Sequence, residues 1–173
     1  MGTDRDEHAI INARAKAAEV RELAELHRRI VDRDTELVDA LTEAEPEPSD
    51  DLVELRRLLD DHGVSGDTWE GIEDSMQDAI DAWPLGMDVH GRREPGGEWR
   101  VIGFELLLTF GGPACRLVAS LGGGTEIVDA RIEYCGWGTP WTALADIPGR
   151  VLATHEVCEF LEHYFGHYCT EDF

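Results

Sequence analysis

Two imidazoles four residues apart, in His163-Tyr164-Phe165-Gly166-His167, are the first residues to test for chemistry. On a helix that spacing puts both rings on one face, where they could clamp a metal ion. Cys169 follows closely and His155 lies two turns back. His163 is followed by Tyr164 rather than Glu, so the zinc-hydrolase pattern HExxH is absent. A lone pair at this spacing is a weak metal signal, and two structural histidines explain it better than a metal does. A small metal-dependent enzyme using His163, His167 and a cysteine is therefore the alternative reading, and no cofactor is otherwise implied.

The remaining reactive types lack partners. Cys115, Cys135, Cys158 and Cys169 are widely spaced with no CxxC pair, and read as reduced thiols. Strand alternation puts Cys115 on the same face as Leu117 and Ala119, which predicts a buried, inert thiol. Gly111-Gly112 and Gly122-Gly123-Gly124 sit between strands and are not followed by GK[ST]. They predict hairpin turns, not phosphate cradles. Carboxylates are so plentiful that no pair stands out as an acid/base couple, and no catalytic residue is assigned. Trp137-Gly138-Thr139-Pro140-Trp141 is more specific. Its rings could cap the end of a sheet core, or Trp137 and Trp141 could serve as contact residues at an interface.

Charge is the outlying property. The 173 residues hold 37 Asp and Glu against 15 Lys and Arg, a net charge of -22, and Lys16 is the one lysine. Such a charge argues against direct binding of nucleic acid or of an anionic membrane, since both require cations. It favours a basic partner, and also keeps a protein soluble. The excess is concentrated. Residues 44–81 carry 13 acids and 2 bases, net -11 over 38 positions. Among them Glu45, Glu47, Asp50, Asp51, Glu54, Asp60, Asp61, Glu70, Glu73 and Asp74 lie around two short amphipathic helices. B-DNA carries about one phosphate charge per 1.7 Å of axis, a density that carboxylates on a folded helix pair can approach. Such a surface could occupy a basic DNA-binding groove, or could simply be a solvated helix face.

These residues need elements to hold them. Apolar positions at helical spacing predict helix over 5–45, with Asp32–Thr35 as the weakest point and a possible hairpin turn. So long a helix suggests a hairpin or a coiled-coil arm that dimerises the chain. Pro46 and Pro48 end it. Ser49 or Asp50 caps a helix closed by His62-Gly63, and Ser65–Thr68 caps another that runs to about Ala82. From Leu85 the pattern turns to strand. Trp99–Phe110 is apolar on both faces, as in the middle of a covered sheet. Strands around Cys115–Leu121 and Val128–Tyr134 follow after short glycine turns, the second with Val128, Ala130, Ile132 and Tyr134 alternating onto one face, which implies an antiparallel meander. A last helix spans about Arg150–Tyr168, with Val151, Cys158, Leu161 and Phe165 as its apolar line. The fold expected is α+β: an acidic helical region over 1–83, then about four antiparallel strands packed against a C-terminal helix over 84–173. Met1–Asp6 lacks the basic and apolar run of a signal peptide, and no apolar run is long enough for a membrane helix, so a cytoplasmic location is expected.

One resemblance bears on function. Phe104–Arg116 with its Gly-Gly-Pro-Ala turn, Ala130–Tyr134, Trp137–Trp141 and a final helix ending near Tyr164-Phe165-Gly166 resemble a family of short acidic proteins carried by phages, prophages and plasmids. Proteins of this sort occur among anti-defence genes, including anti-CRISPRs. The resemblance covers roughly residues 70–168, and this chain adds about 70 helical residues before it. It implies an inhibitor of host defence acting in the host cytoplasm. The most concrete form is an anti-CRISPR that binds the basic DNA-binding surface of an effector complex by acidic DNA mimicry, with no turnover. A non-catalytic assembly protein, dimeric through the first helix, is a further alternative.

Overall fold

The computed structural model describes residues 3–42, 49–144 and 152–170. Helix α1 runs Thr3–Val31 and α2 runs Thr35–Thr42. The break falls at the expected weak point. Arg33 adopts φ 52, a left-handed conformation that interrupts the helix, and the Asp34 carboxylate accepts from the Glu36 amide to start the next one. Residues 43–48, including both prolines, lie outside the described residues. Helix α3, Asp50–His62, is capped by Ser49, whose hydroxyl accepts from the Leu52 amide. It ends at Gly63, where φ 68 is a left-handed C-cap that glycine adopts without strain. Helix α4, Trp69–Ala82, is capped by Thr68 and stops before Pro84.

Five strands follow: β1 Gly86–Arg93, β2 Trp99–Thr109, β3 Ala114–Gly123, β4 Glu126–Cys135 and β5 Thr142–Ala143. Each pairs antiparallel with its sequence neighbours in the order β1-β2-β3-β4-β5, a meander as expected with one strand more. Helix α5 spans His155–Phe165 and continues as a 3-10 turn over Gly166–Cys169. The expected helix start at Arg150, with Val151 on its apolar line, lies outside the described residues. In α5 the buried line is Val157, Phe160, Leu161, Tyr164 and Phe165.

The chain forms two compact units, one of residues 1–21 with 84–173 and one of 22–83. The change from helix to strand at Pro84 is one boundary, while the first 21 residues group with the sheet. In that sheet unit, Phe104, Leu106, Leu117, Ala119, Ala130 and Ile132 make one buried face. Phe165 of α5 packs on Phe104 with ring centroids 5.9 Å apart, and Asn12 of α1 donates to Thr109 at 3.3 Å. In the helical unit, Leu23, Leu26, Leu37, Leu55, Ile72, Met76 and Ile80 are fully buried. The apolar stripe of α1, read as a coiled-coil seam, is thus core within this chain: Ala9, Ala13, Ala17, Val20, Leu23, Ala24 and Ile30 are all buried.

Two strand readings are corrected by bulges. β2 pairs Gly103 with His90 and then Val101 with Gly91, so Ile102 is an extra residue and the alternation flips there. Ile102 and Trp99 are consequently exposed, as is Phe110 beyond the strand end, and β2 is the second strand of the sheet rather than its middle. In β4, Asp129 pairs with Ser120 and Ile127 with Leu121, which leaves Val128 as the extra residue. Val128 is 56% exposed and Ile127 is buried, the reverse of simple alternation through Val128.

Candidate functional site

Helix α4 carries the most regular arrangement of charge. Its apolar positions Ile72, Met76 and Ile80 are buried, which fixes the opposite side outward. On that side stand Glu70, Glu73, Asp74, Asp78 and Asp81, all exposed. Their spacing of i, i+3, i+4, i+8 and i+11 is one helical stripe. At about 1.5 Å of rise per residue, five carboxylates fall within about 16 Å, or about one per 4 Å. Phosphates along one strand of B-DNA are spaced about 3.4 Å in the axial direction. Among the described residues, none of the five forms an ion pair with a cation, and Gln77 alone donates to the stripe, at 2.8 Å to Asp81.

Helix α3 contributes differently. Asp50, Asp51, Glu54, Asp60 and Asp61 are exposed. Arg57 sits among them, 2.8 Å from Glu54, 3.0 Å from Glu22 and also paired with Asp61. Hydrogen bonding to Arg57 holds the Glu54 carboxyl below its ordinary range. Glu54 and Asp61 are therefore already partly satisfied, whereas Asp50, Asp51 and Asp60 make no ion pair among the described residues. Glu45 and Glu47 lie outside the described residues. Of the acidic residues singled out in the sequence, Glu70, Glu73 and Asp74 belong to the unpaired α4 stripe, which Asp78 and Asp81 extend.

Trp137 and Trp141 belong to the sheet unit and have separate settings. Trp137 is 70% exposed and lies against Gly112. A Cβ at Gly112 would meet its ring at 2.1 Å, so the glycine of the Gly-Gly-Pro-Ala turn exists to admit that ring. Beside it, His8, Gly112, Pro113, Gly136 and Trp137 line a cavity of about 430 Å³. Trp141 instead covers the Arg116 guanidinium at 4.3 Å.

Arg116 is the centre of a charged ladder that sequence reasoning missed. It runs across the sheet face opposite the core. His90 of β1 lies 3.1 Å from Glu105 of β2, and Glu105 lies 2.5 Å from Arg116 of β3. Arg116 donates to Glu133 of β4 from Nε at 2.9 Å and Nη2 at 2.6 Å. Glu133 also accepts from Arg131 at 2.9 Å, and Arg131 reaches Asp129 at 3.2 Å. Burial works to raise the Glu133 pKa, but its bonds to Arg116 and Arg131 prevail and hold it low. The members are far apart in sequence, and only the strand register brings Arg116 opposite Glu133.

The chemistry considered at the outset finds little support in geometry. α5 ends at Phe165, so His163 stands on the helix and His167 on the 3-10 turn, and the one-face argument fails. Both rings are exposed, His163 edge-on to Tyr164 and His167 against Tyr168. Among the described residues no group of three or more His, Cys, Asp or Glu could hold a metal ion. Cys115 is buried as expected, and burial pushes its thiol up to about 12. Burial also raises Cys158 and Cys169, which keeps these thiols protonated and weakly nucleophilic. No helix among the described residues is long and apolar enough to cross a membrane. No protein-family model matches the chain, and neither a curated protein nor a solved structure is found to match it.

Proposed function

We propose that this chain is a stoichiometric, non-catalytic binder that places its acidic helices in the basic, nucleic-acid-binding surface of another protein. The observation that carries the reading is the α4 stripe: five exposed carboxylates at near-phosphate spacing, with no cation paired to them among the described residues. On α3 Arg57 pairs with neighbouring acids, as Arg28 and Arg29 do on α1. α4 contains no lysine or arginine at all. A rigid helix also holds its charges in place, so a partner that evolved to neutralise phosphates meets a preorganised substitute. Asp50, Asp51 and Asp60 of α3 add to the same unit's charge. The residues 22–83 hold 20 acids and 5 bases, net -15 of the chain's -22.

The concrete form proposed, resting on the motif resemblance, is a mobile-element inhibitor of host defence that blocks DNA binding by a CRISPR effector complex in the host cytoplasm. The experiment is retention of Cascade-type and Cas9-type effectors on the immobilised chain at rising salt. Binding at low salt that weakens steeply as salt rises is expected, because the contacts are ionic. The variant Glu70→Gln/Glu73→Gln/Asp74→Asn/Asp78→Asn should lose retention while staying folded, since all four side chains are exposed. Retention unaffected by those four changes would overturn the assignment to α4 and move the contact to the Trp137 surface. Failure of every effector to bind at low salt would remove the CRISPR form of the proposal.

A further inference from the structure

We propose that the free edge of β1 is a self-association surface, on which a second copy of this chain pairs antiparallel about His90. The inference stands apart from the acidic-stripe reading and rests on the sheet alone. Among the described residues β1 is an end strand: it pairs with β2 on one side and with no strand on the other. An edge of eight residues presents a row of unused amide and carbonyl groups, and proteins usually blunt such edges with proline, charged side chains, an edge bulge or a covering segment. β1, Gly86-Met87-Asp88-Val89-His90-Gly91-Arg92-Arg93, has no proline, and its charges are of mixed sign: Asp88 against Arg92 and Arg93. The bulge in this pair adds its extra residue to β2, which leaves β1 itself regular.

What the edge does carry is a self-complementary charge pattern. Asp88, His90 and Arg92 alternate onto one face of the strand. Antiparallel pairing centred on His90 sets Asp88 directly opposite Arg92 of a second copy, and two-fold symmetry repeats the pair. Sliding the register by two residues in one direction sets Asp88 opposite Glu94, acid against acid, which disfavours that register. Asp88 forms no ion pair among the described residues, and Arg92 holds only its near neighbour Glu94, at 2.9 Å. β1 is also net positive, with Arg92 and Arg93 against Asp88, in a chain of net charge -22. This edge therefore lacks the acidic excess of the rest of the chain. The alternative seam on α1 is already used as core.

The test is sedimentation equilibrium of the full chain at about 0.15 M salt, where screening leaves only contacts within about 8 Å effective. The mass should rise with concentration from 19.3 kDa towards twice that value. Asp88→Arg or Arg92→Asp alone turns two opposite-charge pairs into like-charge pairs and should weaken the dimer about tenfold or more. The double variant Asp88→Arg/Arg92→Asp restores the pairs in swapped order and should recover the wild-type constant to within about threefold. Its recovery also shows that the single variants are folded. A chain that stays monomeric at every concentration overturns the proposal, and so does a dimer indifferent to both single substitutions.

Discussion

Replacing Glu133 by glutamine tests whether the ladder on the sheet is a structural keystone. Glu133 is 8% exposed and accepts three guanidinium hydrogen bonds, two from Arg116 and one from Arg131. A hydrogen bond to a charged group contributes about 1.5–3 kcal/mol, and a neutral acceptor retains about half of it. The two arginines are themselves 21% and 42% exposed in their side chains, so water recovers part of the loss. The net cost is then about 2–3 kcal/mol, well below the sum of three isolated bonds. For a chain of this size that lowers the melting temperature by about 4–12 °C. Urea unfolding followed by circular dichroism and tryptophan fluorescence should show a lower midpoint with an unchanged slope. The pH dependence has a definite sign. The folded-state pKa of Glu133 lies below its unfolded value, so its contribution is complete above the unfolded pKa and fades as pH falls through the folded one. Wild type should therefore lose its advantage over Glu133→Gln below about pH 4.5. An advantage under about 0.5 kcal/mol at pH 7, or one that grows on acidification, would refute the reasoning.

Three further outcomes follow from the same geometry. Gly112→Ala should expel the Trp137 ring from its seat, seen as a shift in tryptophan emission, with a cost of about 1 kcal/mol because an exposed ring can swing away; unchanged emission would show that the ring does not rest on the turn. Cys115 should resist a thiol reagent at pH 8 in the folded chain and react on unfolding, since a pKa of about 12 leaves about one thiolate in ten thousand. Thr68→Ala removes the hydroxyl that accepts from the Gly71 amide at 3.2 Å, and should cost about 1 kcal/mol with faster amide exchange in the first turn of α4; exchange unaltered there would deny the cap its role.

Much of the architecture is legible in local chemistry. Ser49, Thr68 and Pro84 punctuate the helices through their side chains and Gly63 through its freedom at positive φ, and the first helical stretch breaks within Asp32–Thr35, at Arg33. Strand alternation locates the buried face of the sheet through Phe104, Leu106, Leu117 and Ile132. It fails at Ile102 and Val128, because a bulge adds one residue and no composition signal marks it. β5 is two residues long and has no period to detect. The grouping of residues 1–21 with the sheet depends on long-range packing, such as Asn12 on Thr109, that no helical pattern encodes. The acidic site is legible as composition, but its sorting is not. Arg57 satisfies Glu54 and Asp61 only once α3 is folded, while the i, i+3, i+4, i+8, i+11 order of Glu70, Glu73, Asp74, Asp78 and Asp81 could have been read as a stripe directly. The pairing of Gly112 with Trp137, two motifs apart in the chain, needs the strand register to appear.

The central claim is that the α4 carboxylates stand in for phosphates, and displacement measures it most directly. A fluorescent DNA duplex bound to a CRISPR effector complex is titrated with the chain at about 0.05 M salt and again at about 0.5 M, where ionic contacts to phosphate-binding sites are largely lost. Wild type should release the duplex at one chain per complex at low salt and fail at high salt, and the four-residue neutralised α4 variant should fail at both. Undiminished displacement by that variant, or none by wild type at low salt from any effector that binds the duplex through a basic groove, would contradict the account.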